Sequence, residues 1–289
     1  MLTALALLVS ARLAWTSVPP GEVTLKTPVY DLLEPLRNPQ EHWTYSFHWS
    51  GVPVATVTVT SGELDGGGPR RVELFVRGKT NAFLDLFWRY RLNAEGTIQV
   101  DPFRPGDFKA EEAIKNARKL TTIEFDDDRY VRTHRNKNEK IKDYEFAGPN
   151  TYDVPSTVYA VLNLELEVGE TYHFDTLTGT ARFLVDIDVQ AREEIDVADA
   201  SHDSFRLAIR TAEITEPEDS DKHGETLLWV SAARPRRLLL AKSKLFVGAV
   251  YAELVSAETL DQWPWEPPRI ELGERRPGGS GKLFGRFRR

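Results

Sequence analysis

Cysteine is absent from the 289 residues. That excludes disulfides, thiolate metal sites, a cysteine nucleophile and a lipid-modified cysteine, and it leaves the compartment open. Long hydrophobic runs are missing as well. Leu2 to Val9 is apolar but far shorter than the ~20 residues of a spanning helix, and no later segment approaches that length. The common catalytic signatures are also missing: no Gly-x-Ser-x-Gly elbow, no His-Glu-x-x-His and no phosphate-cradling loop. Gly278 to Lys282 superficially resembles one, but it lacks the following Ser or Thr and a preceding strand, so it reads as a linker. Asp219 to Glu225 resembles the start of a calcium loop. The bidentate Glu required at the twelfth position would be Val230, which cannot coordinate. Among the six histidines, His42 and His48 could share a strand face, yet six residues of strand hold them ~20 Å apart, too far to share a metal. No catalytic residue, metal site or cofactor is called for.

Charge is unevenly spread. The net charge of −7 includes six basic and no acidic residues from Arg275 onward, so the preceding chain carries −13. An acidic body argues against nucleic-acid binding, which depends on clustered Lys and Arg. The basic tail, with Leu283, Phe284 and Phe287, reads first as a solvated terminus. At most it offers peripheral contact with anionic headgroups.

What the chain does have is an aromatic hairpin. Trp43, Tyr45, Phe47 and Trp49 occupy every second position, with His42, Thr44, Ser46 and His48 between them. A strand has a side-chain period of two, so one face is aromatic and the other polar. Ser50-Gly51-Val52-Pro53 supplies a turn, and Ala55, Val57 and Val59 then alternate with threonines.

Around it, residues 1–15 read as an export signal, with a buried first strand or helix as the alternative. Residues 16–40 are a proline-rich extended lead-in, 41–260 a single β-rich domain and 261–289 a flexible basic tail. Asn93 to Gly96 reads as a turn. Residues 107–120 are mostly helix formers with a thin apolar stripe, predicting a short exposed helix or a charged edge strand. Asp153 to Leu164 is the clearest helix: Asp153 can cap it, Pro155 suits its first turn, and Val154, Val158, Val161 and Leu162 form a stripe. Capping accounts for Asp153 and Ser156 without a substrate. Ten to twelve strands at even spacing with this one helix predict a mainly β protein, a curled antiparallel sheet or open β-barrel wrapped around a central helix.

Four stretches together, Tyr45 to Val54, Asp153 to Tyr159, Leu228 to Ser231 and Gly248 to Leu254, resemble the domain of unknown function 3108 family (DUF3108) of bacterial exported proteins. The resemblance spans roughly residues 41 to 256. It implies a β-rich fold around a helix and an envelope location, the periplasm, and it supplies no activity. Ala55, Asn163 and Ala232-Ala233 depart from residues frequent in that family, which weakens the idea of a shared acidic site.

The aromatic face is the one feature with functional promise. Its plainest role is to fill a core. If the sheet is incompletely closed, an apolar groove beside the rings could take a lipid or a lipidated peptide, with Trp43, Tyr45, Phe47, Trp49, Val158, Tyr159, Leu162 and Trp229 as ligand-binding residues. The expectation is thus a non-enzymatic envelope carrier. The alternatives are an assembly factor binding an envelope protein, or a hydrolase with an unrecognised site.

Overall fold

The computed structural model describes residues 21, 25, 27–33, 40–64, 69–126, 130–215, 226–245, 248–263 and 265–273. The expected export signal, the 219–225 loop and the basic tail from Arg275 lie outside them. The sequence alternation is realised as strands β1 (Glu41–Trp49), β2 (Val52–Leu64), β3 (Arg71–Thr80), β4 (Tyr90–Val100), β5 (Phe103–Ile114), β6 (Ala117–Phe125), β7 (Tyr130–Lys137) and β8 (Lys140–Ala147). These are followed by β9 (Thr151–Asp153), β10 (Thr171–Thr178), β11 (Ala181–Val197), β12 (Ala200–Glu213), β13 (Thr226–Ser231), β14 (Leu238–Leu245) and β15 (Gly248–Thr259). Among the described residues two helices interrupt them, α1 (Ala82–Asp85) and α2 (Val154–Asn163).

All fifteen strands form one sheet, in the order β8-β7-β6-β5-β4-β3-β2-β1-β15-β14-β13-β12-β11-β10-β9. Every ladder is antiparallel except that of β9 with β10, which is parallel. β1 lies mid-sheet between β2 and β15; the chain meanders from it out to the β8 edge and returns from the β9 edge to β15 at its side. The two edge strands, β8 and β9, are successive in sequence. Fifteen flat strands would hold those edges roughly 65 Å apart, whereas the few residues between Ala147 and Thr151 span at most about 15 Å. The sheet must therefore curl until its edges face each other.

It curls without closing: among the described residues no ladder joins β8 to β9. Side chains hold the seam instead. Thr133 Oγ1 of β7 donates to the Gly179 carbonyl in the β10–β11 turn at 2.6 Å. The Arg182 guanidinium lies 5.1 Å over the Phe146 ring of β8. Arg182 also clasps Asp175 with Nε–Oδ1 at 3.1 Å and Nη2–Oδ2 at 2.5 Å, both side chains buried, and Thr151 Oγ1 donates to the same carboxylate at 2.7 Å.

Helix α2 fills the curl. Asp153 Oδ1 accepts the Ser156 N–H at 2.9 Å, and Pro155 sits in the first turn. Tyr159 stacks on Phe103 of β5, centroids 5.8 Å apart, while Ala160 and Val161 join the core. The lead-in seals the helix end. The Leu33 N–H donates to the Asn163 carbonyl at 2.9 Å, satisfying a group that a helix terminus leaves unpaired. Tyr30 packs between Tyr172 and Phe174.

Four sequence expectations need correction. Among the described residues there are fifteen strands rather than ten to twelve. Residues 107–120 are neither an exposed helix nor an edge: they form β5, a tight turn at Lys115, and the start of β6, inside the sheet. Asn93 to Gly96 is no turn but the middle of β4, paired on both sides. The tail expected from 261 begins as a docked strap across the outer face. Trp263 packs on Phe75 and over Gly62, where any Cβ would collide with the indole. Asn93 exchanges two hydrogen bonds with the Ile270 backbone, each 2.8 Å, Arg269 pairs with Glu111 at 3.0 Å, and Arg118 reaches the Gly273 carbonyl.

Candidate functional site

The inner face of the sheet does not pack flush on α2. Between them lies a cavity lined by Trp43, Tyr45, Val72, Ile98, Val158 and Leu162 among others, with about 100 Å³ open to the centre of a water-sized sphere. A smaller one of about 30 Å³ lies on the other flank of the helix, walled by Val161, Val185, Ile209 and Val230. Val158, Leu162 and Leu238 line both, so these three side chains form the partition. A single water needs roughly 10–15 Å³ on this measure. The larger cavity therefore exceeds a packing defect.

Its walls follow from alternation. Val72, Leu74 and Val76 of β3, and Leu92, Ala94 and Ile98 of β4, all turn inward. Polar groups gather at one end. Solvent-exposed Pro235 and half-buried Arg236 mark the opening beside Asn163. Arg236 donates to the Leu164 carbonyl, its Nε is buried without a hydrogen-bond partner, and burial, then Arg234, lowers its pKa from the ordinary value. Nearby, Glu41 receives Arg237 through Nε at 3.2 Å and also through Nη2, and the Trp43 indole N–H at 2.6 Å.

The residues expected from sequence separate into three groups. Trp43, Tyr45, Val158, Tyr159 and Leu162 line the larger cavity. The Tyr45 hydroxyl donates to the Leu238 carbonyl at 3.0 Å, and burial pushes its phenol pKa up. Phe47 is buried in the core without lining the cavity. Trp49 and Trp229 lie elsewhere. Trp49 ends β1 and is 39% exposed. Trp229 sits between the two inward side chains Leu228 and Val230, so it faces outward, where its indole N–H donates to Glu193 at 2.7 Å beneath Lys242. Sequence reasoning missed Arg236, Asn163 and Ser61. Only their position next to apolar runs hinted at them, and the fold alone brings them to one cavity.

The other polar residues singled out in the sequence are either buried or on the outer face. Asp153 and Ser156 are 1% and 0% exposed, so no substrate reaches them, and burial raises the Asp153 carboxyl pKa to about 6. His42 lies 2.7 Å from Thr60 Oγ1 and His48 stacks on Tyr251, both on the outer face. Among the described residues no cluster of His, Asp and Glu could hold a metal, and no helix is long and apolar enough to cross a membrane.

A family model described as a protein of unknown function (DUF3108) matches residues 44–255. Comparison with functionally curated proteins gives no match. Among solved structures, the chain is similar to the beta-barrel-like protein of domain of unknown function DUF1849 from Brucella abortus. The TM-score is 0.47 at 8% identity, covering 78% of this chain and 99% of that one. It is also similar to a Bacteroides fragilis protein with a YmcC-like fold, at a TM-score of 0.35 and 7% identity, covering 77% and 97% respectively.

Proposed function

Since the chain belongs to the DUF3108 family of proteins of unknown function, we propose its role from its own interior: a non-enzymatic envelope protein that holds the apolar chain of a lipid or lipidated peptide in the cavity beside α2. The observation that carries this reading is the cavity itself, walled by aromatic and aliphatic side chains and bordered at its opening by Arg236 and Asn163. Small ligand sites have this composition, a mostly apolar lining with a few polar groups that fix orientation. Its modest volume suits a slender methylene chain better than a fused ring system. Movement of the Val158, Leu162 and Leu238 partition would join it to the smaller cavity and lengthen it. Arg236, which lines the opening with its guanidinium between the Leu164 carbonyl and the Phe205 ring, supplies a positive charge for a carboxylate or phosphate at the chain's end. The apolar run Leu2 to Val9 supports a periplasmic location, where such ligands occur.

An assembly role through strand addition has less support. The edge strand β8 carries Lys140, Lys142, Asp143 and Glu145, the charged composition that discourages pairing at an edge.

Titration with 1-N-phenylnaphthylamine, a probe whose fluorescence rises in apolar cavities, tests the reading. The protein should bind it, a fatty acid should displace it, and Val158→Phe, which fills the cavity from its partition, should lose most of the binding. Equal binding by the wild type and Val158→Phe would sink the assignment.

A further inference from the structure

A second feature of the fold lies outside the cavity. The loop NAFLDLFW between β3 and β4 is short and apolar, yet it is not folded inward: none of the four α1 residues is buried. Asn81 fixes it. Its Oδ1 accepts the Leu84 N–H at 2.9 Å to cap α1, and its own N–H and Nδ2 bond the Val54 and Pro53 carbonyls at 2.9 and 2.6 Å. The loop is thereby tied to the β1–β2 turn at the same end of the sheet. Phe83, Leu86 and Phe87 stand 56%, 78% and 68% exposed, with the two rings edge-on at 6.0 Å. Trp49 and Val52 of the adjoining turn are exposed as well.

Phe83, Leu86 and Phe87 on one loop, with Trp49 and Val52 flanking the turn to which Asn81 ties it, gather five exposed large apolar side chains at one end of the sheet. Its charge is equally distinctive. Asp85 is the one acidic residue from Asn81 to Trp88, and Arg91 engages it, with Nη1 at 2.9 Å from Oδ1. Beside the patch stand Lys115, which is exposed, and half-buried Arg89, whose guanidinium packs against Gly273 of the strap; the Lys115 N–H donates to the Arg89 carbonyl at 2.8 Å. Lys115 Nζ lies 4.6 Å over the Trp88 ring. This cationic border belongs to a chain whose net charge ahead of Arg275 is −13.

We propose that this tip, Phe83, Leu86 and Phe87 flanked by Trp49, Arg89 and Lys115, docks the protein on an anionic phospholipid surface. Aromatic and aliphatic side chains enter the interfacial region, where indole and phenyl rings partition favourably. The cations pair with headgroup phosphates, which attract basic residues within a Debye length of the surface. Charge complementarity selects this occupant over a second copy of the chain. A two-fold pairing through the patch would place one Arg89–Lys115 border against another.

Co-sedimentation of the purified protein with phosphatidylglycerol-containing vesicles, beside pure phosphatidylcholine vesicles, tests the proposal. Binding should favour the anionic vesicles, weaken with salt, and bring quenching of tryptophan fluorescence by lipids brominated on their acyl chains. The variant Phe83→Ser/Leu86→Ser/Phe87→Ser changes only exposed side chains and should retain the wild-type circular dichroism. Each apolar side chain withdrawn from the interface weakens partitioning on the order of fivefold, so the triple variant should bind about 100-fold more weakly. Arg89→Glu/Lys115→Glu should abolish the preference for anionic vesicles. Undiminished binding by the triple variant would mean that another segment, such as the basic tail, makes the contact, and would overturn the proposal. So would a wild type that ignores vesicles but forms dimers which the triple variant cannot form.

Discussion

Asp153 places a carboxylate at the N-terminus of α2, inside the curled sheet, and its replacement by Asn gives the sharpest stability test. The carboxyl is 1% exposed. One oxygen accepts the Ser156 N–H, and the other has no hydrogen-bond partner. Desolvation dominates and raises the pKa from 3.8 to about 6. Below about pH 3.8 the group is protonated both folded and unfolded, and it imposes no penalty. As pH rises, the unfolded chain ionises first while the folded one keeps its proton, so stability falls across the window from 3.8 to about 6. Above that window the loss is complete. At ~1.4 kcal/mol per pH unit it is on the order of 3 kcal/mol. Asp153→Asn keeps a cap oxygen for Ser156 and removes the ionisation. The variant should therefore gain on the wild type between pH 4.5 and pH 8 by on the order of 2 kcal/mol, whatever the baseline cost of the change. Urea unfolding at the two pH values measures this directly. A stability difference that does not change with pH, or that shrinks as pH rises, would refute the reasoning.

Three further outcomes follow from buried partners. Arg182→Ala leaves Asp175 buried at the seam with only Thr151 as donor, and should cost ~3–5 kcal/mol by urea unfolding, whereas Arg182→Met with Asp175→Leu should recover most of it. Tyr45→Phe deletes the donor to the Leu238 carbonyl at 3.0 Å and should cost ~1–2 kcal/mol in chemical denaturation. It should leave cavity binding of an uncharged probe largely intact. Asn93→Ala removes both hydrogen bonds to Ile270. It should release the strap, seen as faster proteolytic cleavage at Arg269 with little change in the unfolding of the sheet.

How much of this was written in the sequence depends on whether local and tertiary demands agree. At α2 they agree: an Asp cap, a first-turn proline and an apolar stripe specify a buried helix, and one forms. In β1, period-two aromatics and a Ser50-Gly51 turn specify a hairpin with Trp43, Tyr45 and Phe47 inward. They disagree over residues 107–120. Helix propensity there is worth only tenths of a kcal/mol per residue, while both flanking strands offer a full ladder of backbone hydrogen bonds. The ladder prevails. Asn93 and Gly96 look like turn residues for reasons that turn out to be tertiary. Asn93 spends its amide on the strap, and Gly96 lets Phe108 approach closely. Trp229 sits in a strand apolar on both faces, so periodicity could not say which way it points. Arg236 reaches the cavity only because the β13–β14 connection folds over the end of α2, a long-range arrangement that no local pattern encodes.

The proposed role requires that the space between α2 and the sheet be occupied in the cell. Native mass spectrometry of the protein purified from its own envelope tests it most directly. The wild type should carry a discrete adduct of an acyl-chain amphiphile that dissociates on collisional activation and is missing from Val158→Phe. A wild type that arrives at its sequence mass alone, or an adduct that Val158→Phe carries equally, would contradict it.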